Sequence, residues 1–184
     1  MATGFLDSVR RGVAPSRLIF RQLYADRGMS MIIRSLGADD SQAWERLYRG
    51  YADFYRVATS DDKLATLFGW LMDPAHPCRG LVAEKDDGTI IGLAHYRAMP
   101  SPLRGEDVGF LDDLFVNPGA RGSGAGEALL RHLDGIAVEQ GWPVVRWITR
   151  DNNYRARGLY DRLALRSDWI TYEMNALSTG RAGE

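Results

Sequence analysis

Apolar and polar positions follow two rhythms along this chain, one with period two and one with helical spacing. Met31-Ile32-Ile33-Arg34 is short, apolar and β-branched, and predicts a first strand. Asp39-Asp40-Ser41 supplies N-cap residues for a helix in which Trp44, Leu47, Tyr48, Tyr51, Phe54 and Tyr55 recur at helical spacing. A second helix is predicted over 61–72, with Leu64, Leu67, Phe68 and Leu71 on one face and Pro74 and Pro77 ending it. Gly80-Leu81-Val82-Ala83-Glu84 reads as a strand, Asp86-Asp87-Gly88 as a turn, and Thr89 to Tyr96 as the returning strand of a hairpin. A Pro/Gly-rich loop is predicted over 100–105, and Gly109 to Val116 forms the next strand.

Asn117-Pro118-Gly119 breaks that strand, and a helix opens from the glycine run that follows. Its apolar face is Leu129, Leu133, Ile136 and Ala137, and Gly141 suits its C-terminal end. Val144 to Thr149 predicts a strand, 153–163 a short helix, and Trp169 to Met174 a last strand. The order β-α-α-β-β-β-α-β-α-β predicts an α/β chain of the α+β type. It comprises one domain with a central mixed, mostly antiparallel sheet and helices on both faces. The domain spans 31–176. Residues 1–30 are expected to be an accessory segment, with a turn of helix over 17–24, and residues 177–184 a flexible tail.

Bulk properties narrow the chemistry. The 184 residues suit one domain, and 45% hydrophobic with 26% charged residues is the profile of a globular protein. Net charge is -1, from 23 basic and 24 acidic side chains, so no global field favours nucleic acid or a membrane surface. No apolar run approaches the roughly 20 residues of a spanning helix. Residues 1–30 carry arginines without an apolar centre and do not read as a secretion signal. The single cysteine, Cys78, allows no internal disulfide, and a reduced cytoplasmic setting is the expectation. No His, Cys and carboxylate spacing suits a metal.

The strongest chemical signal is Arg121-Gly122-Ser123-Gly124-Ala125-Gly126 between a strand and a helix. The first N–H groups of a helix lack internal partners, and the helix dipole adds positive character there. Glycines let the backbone approach a phosphate, and Arg121 adds a full charge. Glu127-Ala128 follow the last glycine, where a P-loop needs Lys then Ser/Thr. The glycines also miss the dinucleotide spacing and come late in the chain.

Phe115-Val116-Asn117-Pro118 followed by Arg121 to Gly126 resembles the coenzyme A loop of the GNAT acetyltransferases, whose pattern Arg121, Gly124 and Gly126 satisfy. Asn153-Tyr154-Arg155-Ala156-Arg157-Gly158-Leu159-Tyr160 resembles the family's downstream Asn-x-x-Ala-x-x-Leu-Tyr helix. The resemblance covers roughly 31–176. After Leu-Tyr the chain departs from the common Glu-Lys-x-Gly-Phe and reads Asp161-Arg162-Leu163-Ala164-Leu165.

The resemblance implies acetyl-CoA as co-substrate, without a metal. Leu114, Phe115 and Val116 would offer backbone groups to the pantetheine arm, as an added strand does. Arg121, Gly122, Ser123, Gly124, Ala125 and Gly126 would hold the pyrophosphate, and Asn153 and Ala156 would contact the cofactor. Tyr160 would lie near the thioester sulfur and protonate the departing thiolate. Diamine acetyltransferases of the family carry an acidic pair like Asp112-Asp113, which implies a small cationic amine as acceptor: a polyamine, an amino acid or a similar metabolite. Strand alternation places Asp112 and Asp113 on opposite faces, one of them toward the cleft as general base. His95 and Tyr96 are candidates for the acceptor side, and Trp44, Tyr48, Tyr51 and Tyr55 for its roof or for plain core. A homodimer follows from the resemblance alone. Protein or peptide acetylation, a non-catalytic acyl-CoA-binding regulator and a dinucleotide oxidoreductase are the alternatives.

Overall fold

A computed structural model describes residues 31–174. The expectations for residues 1–30, with the helical turn at 17–24, and for the tail at 177–184 lie outside the described residues. The chain divides into two compact units at Ile148/Thr149.

The first unit is built on one five-stranded mixed sheet with spatial order β1-β2-β3-β4-β5. Its strands are β1 Met31–Ser35, β2 Arg79–Lys85, β3 Ile90–Ser101, β4 Glu106–Val116 and β5 Val145–Trp147. The first four are antiparallel neighbours, and β5 pairs parallel to β4. Helices α1, Ser41–Tyr55, and α2, Asp61–Met72, connect β1 to β2, and α3, Ala125–Gln140, connects β4 to β5.

Apolar stripes settle which face each helix covers. Trp44 and Leu47 of α1, Leu64 and Leu71 of α2, Leu93 of β3 and Phe115 of β4 form one buried cluster. Leu93 and Phe115 are directly paired across β3 and β4, so both helices cover that face. Gly92 points the other way, and a Cβ there would lie 3.4 Å from Leu129 of α3. The sheet therefore carries helices on both faces, as the pattern predicted.

Several boundaries differ from the sequence pattern. The Pro/Gly-rich stretch is strand as far as Ser101, because Pro100 and Ser101 pair with Asp107 and Glu106. Only residues 102–105 turn, with Gly105 at φ 69°. Asp40 stands at the α1 N-cap, yet its carboxylate makes no cap bond. It instead accepts from Arg34 at 2.6 and 2.8 Å and from the Gly37 amide at 2.7 Å. The strand predicted over 144–149 shrinks to Val145–Trp147.

The second unit contains α4, Tyr154–Leu163, with Asn153 at its N-cap. The strand expected at Trp169 to Met174 is absent among the described residues. Trp169, Ile170, Tyr172 and Met174 are exposed, with no neighbouring strand to satisfy their backbone groups.

Candidate active site

The acidic pair sits where the β3–β4 ladder loses its regular register. His95 is paired with Asp113 and Arg97 with Phe110, while Tyr96 is paired with Leu111. Asp112 is thus the extra residue of a β-bulge. Residues directly paired across a ladder share a face, and so do residues two apart on a strand. Hence His95, Arg97, Phe110, Asp112 and Asp113 all belong to the face covered by α1. The alternation that would have separated the two carboxylates fails because the bulge adds one residue between them and their partners. Both carboxylates raise the pKa of Tyr48 and of Cys78, which places their charges in one locality.

The two acids have different surroundings. Asp113 Oδ2 lies 2.8 Å from His95 Nδ1, and the Tyr51 hydroxyl also hydrogen-bonds Asp113. On the far side of the imidazole, Trp44 Nε1 donates to His95 Nε2 at 2.9 Å. An indole N–H can only donate, so Nε2 is the acceptor and the ring proton lies on Nδ1, directed at Asp113. His95 and Trp44 are both 2% exposed. Asp113 is therefore clamped.

Asp112 is more open, with 29% of its side chain exposed. Arg97 Nε shares its hydrogen between the two Asp112 oxygens, at 3.2 and 3.1 Å. Burial nevertheless holds the Asp112 carboxyl above the ordinary carboxylate range, with Asp113 adding to the rise and Arg97 opposing it. A carboxylate of raised basicity suits proton acceptance near neutral pH.

Tyr48 and Tyr51 complete the surroundings. The Trp44–Tyr48, Tyr48–Tyr51 and Tyr51–Tyr55 ring pairs have centroid separations of 5.4, 5.6 and 5.0 Å. Burial first, then Asp113, push both phenol pKa values well above the ordinary range, with Asp112 adding to the rise at Tyr48, so the two hydroxyls stay protonated. Trp44 is core, and Tyr96 lies on the opposite sheet face beside Trp142. Cys78 is half-buried with its thiol pKa pushed up by burial first, which makes it a poor nucleophile.

The cofactor segment is next along β4. β5 pairs with β4 only over Gly109–Leu111, so residues 112–116 keep an edge without a strand among the described residues. That edge holds Leu114, Phe115 and Val116. Their other edge is paired with residues 92–94 of β3, and the Phe115 side chain is buried in the core. A one-turn helix, Pro118–Ala120, then leads into the glycine run.

Gly122 and Gly124 have φ of 91° and 84°, conformations that L side chains rarely adopt, and Gly124 is the N-cap of α3. The Ser123 hydroxyl accepts from the Ala125 amide at 3.4 Å, and Ala125 is buried as the first helical residue. The amides of Gly122, Gly124 and Gly126 have no partner among the described residues, and Arg121 is exposed beside them. A helix N-terminus with unpartnered amides, glycine backbone and an adjacent guanidinium fits an extended anion such as a pyrophosphate. An unpaired strand edge immediately before it fits an amide-bearing arm.

In the second unit, Asn153 Nδ2 donates to Thr149 Oγ1 at 3.1 Å, and Ala156 and Tyr160 are half-buried. No group of three or more potential metal ligands occurs among the described residues. Sequence reasoning passed over Arg97 and the clamp on Asp113. The available signal was His95 and Arg97 two apart on a strand whose hairpin partner carries the acids.

A family model described as the acetyltransferase (GNAT) family matches residues 44–164. A D-amino-acid N-acetyltransferase of Saccharomyces cerevisiae is 30% identical over 146 residues, covering 79% of this chain and 91% of its own length. A thialysine N-epsilon-acetyltransferase of Bos taurus is 30% identical over 80 residues, 44% of this chain and 46% of its own. The crystal structure of a ribosomal-protein-alanine N-acetyltransferase from Brucella melitensis superposes with a TM-score of 0.68 at 25% identity, covering 79% of this chain and 99% of that one. The chain belongs to the GNAT acetyltransferase family. It is an acyltransferase.

Proposed function

We propose that this protein moves an acetyl group from acetyl-CoA to the primary amine of a small cationic metabolite, a polyamine, an amino acid or a related molecule. The observation that carries the reading is Asp112 at the bulge: a partly exposed carboxylate of raised basicity, next to the open edge that leads into the glycine turn. The relatives named for D-amino acids and thialysine support a small amine over a protein.

Acetyl-CoA supplies an activated acyl carbonyl. Residues 114–116 and 121–126 are assigned to hold it. An amine attacks only when neutral, so an ammonium substrate must lose a proton. Asp112 takes that proton, directly or through water. Asp113, engaged by His95 and Tyr51, lies beside Asp112 and favours the protonated form of its neighbour. Tyr160 is assigned as donor of the proton that the departing thiolate collects, on the likeness of its Asn-x-x-Ala-x-x-Leu-Tyr block.

The test is thiol release from acetyl-CoA against an amine panel, with Asp112→Asn and Tyr160→Phe beside the parent. For the parent, kcat/KM should fall as pH drops through the raised Asp112 pKa, because the base is then protonated. Each variant should lose roughly a hundred- to ten-thousandfold in rate, and Asp112→Asn should also lose the acid limb of the pH profile. Tight CoA binding without turnover on any amine would favour the non-catalytic alternative.

A further inference from the structure

We propose that Arg97 binds the carboxylate of the acceptor, so that the site is built for an amino acid and discriminates against amines that lack the carboxylate. The inference rests on acetyl transfer at Asp112 and names the substrate class for that same site. A guanidinium carries five N–H donors in a planar fork. In Arg97 only the Nε–H is engaged, shared between the two oxygens of Asp112. The two terminal nitrogens have no hydrogen-bond partner among the described residues, and a third of the side chain is exposed.

The guanidinium is held in place from below. Its carbon lies 5.0 Å from the centroid of the Phe110 ring, the residue directly paired with it on β4. The terminal NH2 pair of a fixed fork matches a carboxylate bidentately. Asp113 does not compete for it, because His95 and Tyr51 already occupy that carboxylate.

Both signs of charge stand side by side on the same face, as they do in a zwitterion. Asp112 and Asp113 contribute two negative charges and Arg97 one positive charge, in direct contact with Asp112. An α-amino acid carries its ammonium and carboxylate on one carbon. It can present the first to Asp112 and the second to the neighbouring fork. A polyamine would instead bring further positive charge against an arginine that offers it nothing.

The experiment compares matched pairs that differ only in the carboxylate: lysine against 1,5-diaminopentane, and phenylalanine of either hand against phenethylamine. The parent should prefer the amino acid in each pair that turns over by at least roughly tenfold in kcat/KM, the scale of a charge-assisted bidentate contact. Arg97→Gln should bring that ratio close to one, chiefly through a higher KM for the amino acid. Arg97→Lys keeps the charge without the fork and should give an intermediate ratio. Thermal melting establishes which variants are folded; if Arg97→Gln is not, the ratio in Arg97→Lys decides. Equal use of both members of every pair by the parent, or an unchanged ratio in the folded variant, would overturn the assignment while leaving acetyl transfer intact. Absence of turnover on every amine would remove the acetyl-transfer reading together with this one.

Discussion

Trp44, His95 and Asp113 illustrate how one residue's position can set the chemistry of another. The indole fixes the imidazole tautomer, and the tautomer aims a hydrogen at the Asp113 carboxylate. All three belong to one packed face, so breaking the first link should be felt in stability. Trp44→Phe keeps an aromatic body, loses the N–H and leaves a small cavity in a residue site that is 2% exposed. The expected cost is about 1–3 kcal/mol in denaturant unfolding. A variant as stable as the parent would show that the indole N–H contributes nothing to holding His95.

At the scale of elements, the β3–β4 hairpin does two jobs. Its outer part anchors β5, and its bulge and inner part form the acidic face and the free edge. Gly109 marks the junction. A Cβ there would lie 2.6 Å from Cε3 of Trp142 and 3.0 Å from Cγ2 of Val145, the paired residue on β5. A ring edge cannot give way as the tip of a flexible side chain does. Gly109→Ala should therefore displace Trp142 and β5 and destabilise the fold by about 1–3 kcal/mol, seen as a lower Tm. An unchanged Tm would mean that Trp142 and β5 yield freely there.

For the whole molecule, the cofactor assignment predicts a ligand-dependent stability. A ligand at a hundredfold its Kd stabilises by about 2.7 kcal/mol, which raises Tm by roughly 5–10 °C for a chain of this size. CoA and acetyl-CoA should produce such a shift and NAD should not. Stabilisation by NAD alone would instead support a dinucleotide ligand and remove the coenzyme A assignment for residues 121–126.

The sequence by itself determined the order of the elements as far as the helix at 153–163, the apolar stripes of α1, α2 and α3, and the glycine turn. Those signals are local: period, caps and positive-φ glycines act within a few residues. It also marked Asp112 and Asp113 as candidate acids. Only the tertiary structure decided how they differ. The bulge at Asp112 arises from the register of two strands, and no single strand's alternation reveals it. The clamp on Asp113 joins residues 44, 51 and 95 to residue 113 through packing of α1 on the sheet. Arg97 carried no role in the sequence pattern, and only pairing set it beside Asp112 and over Phe110. The apolar run at Trp169 to Met174 shows the converse: strand-like composition forms no strand without a neighbouring backbone to pair with.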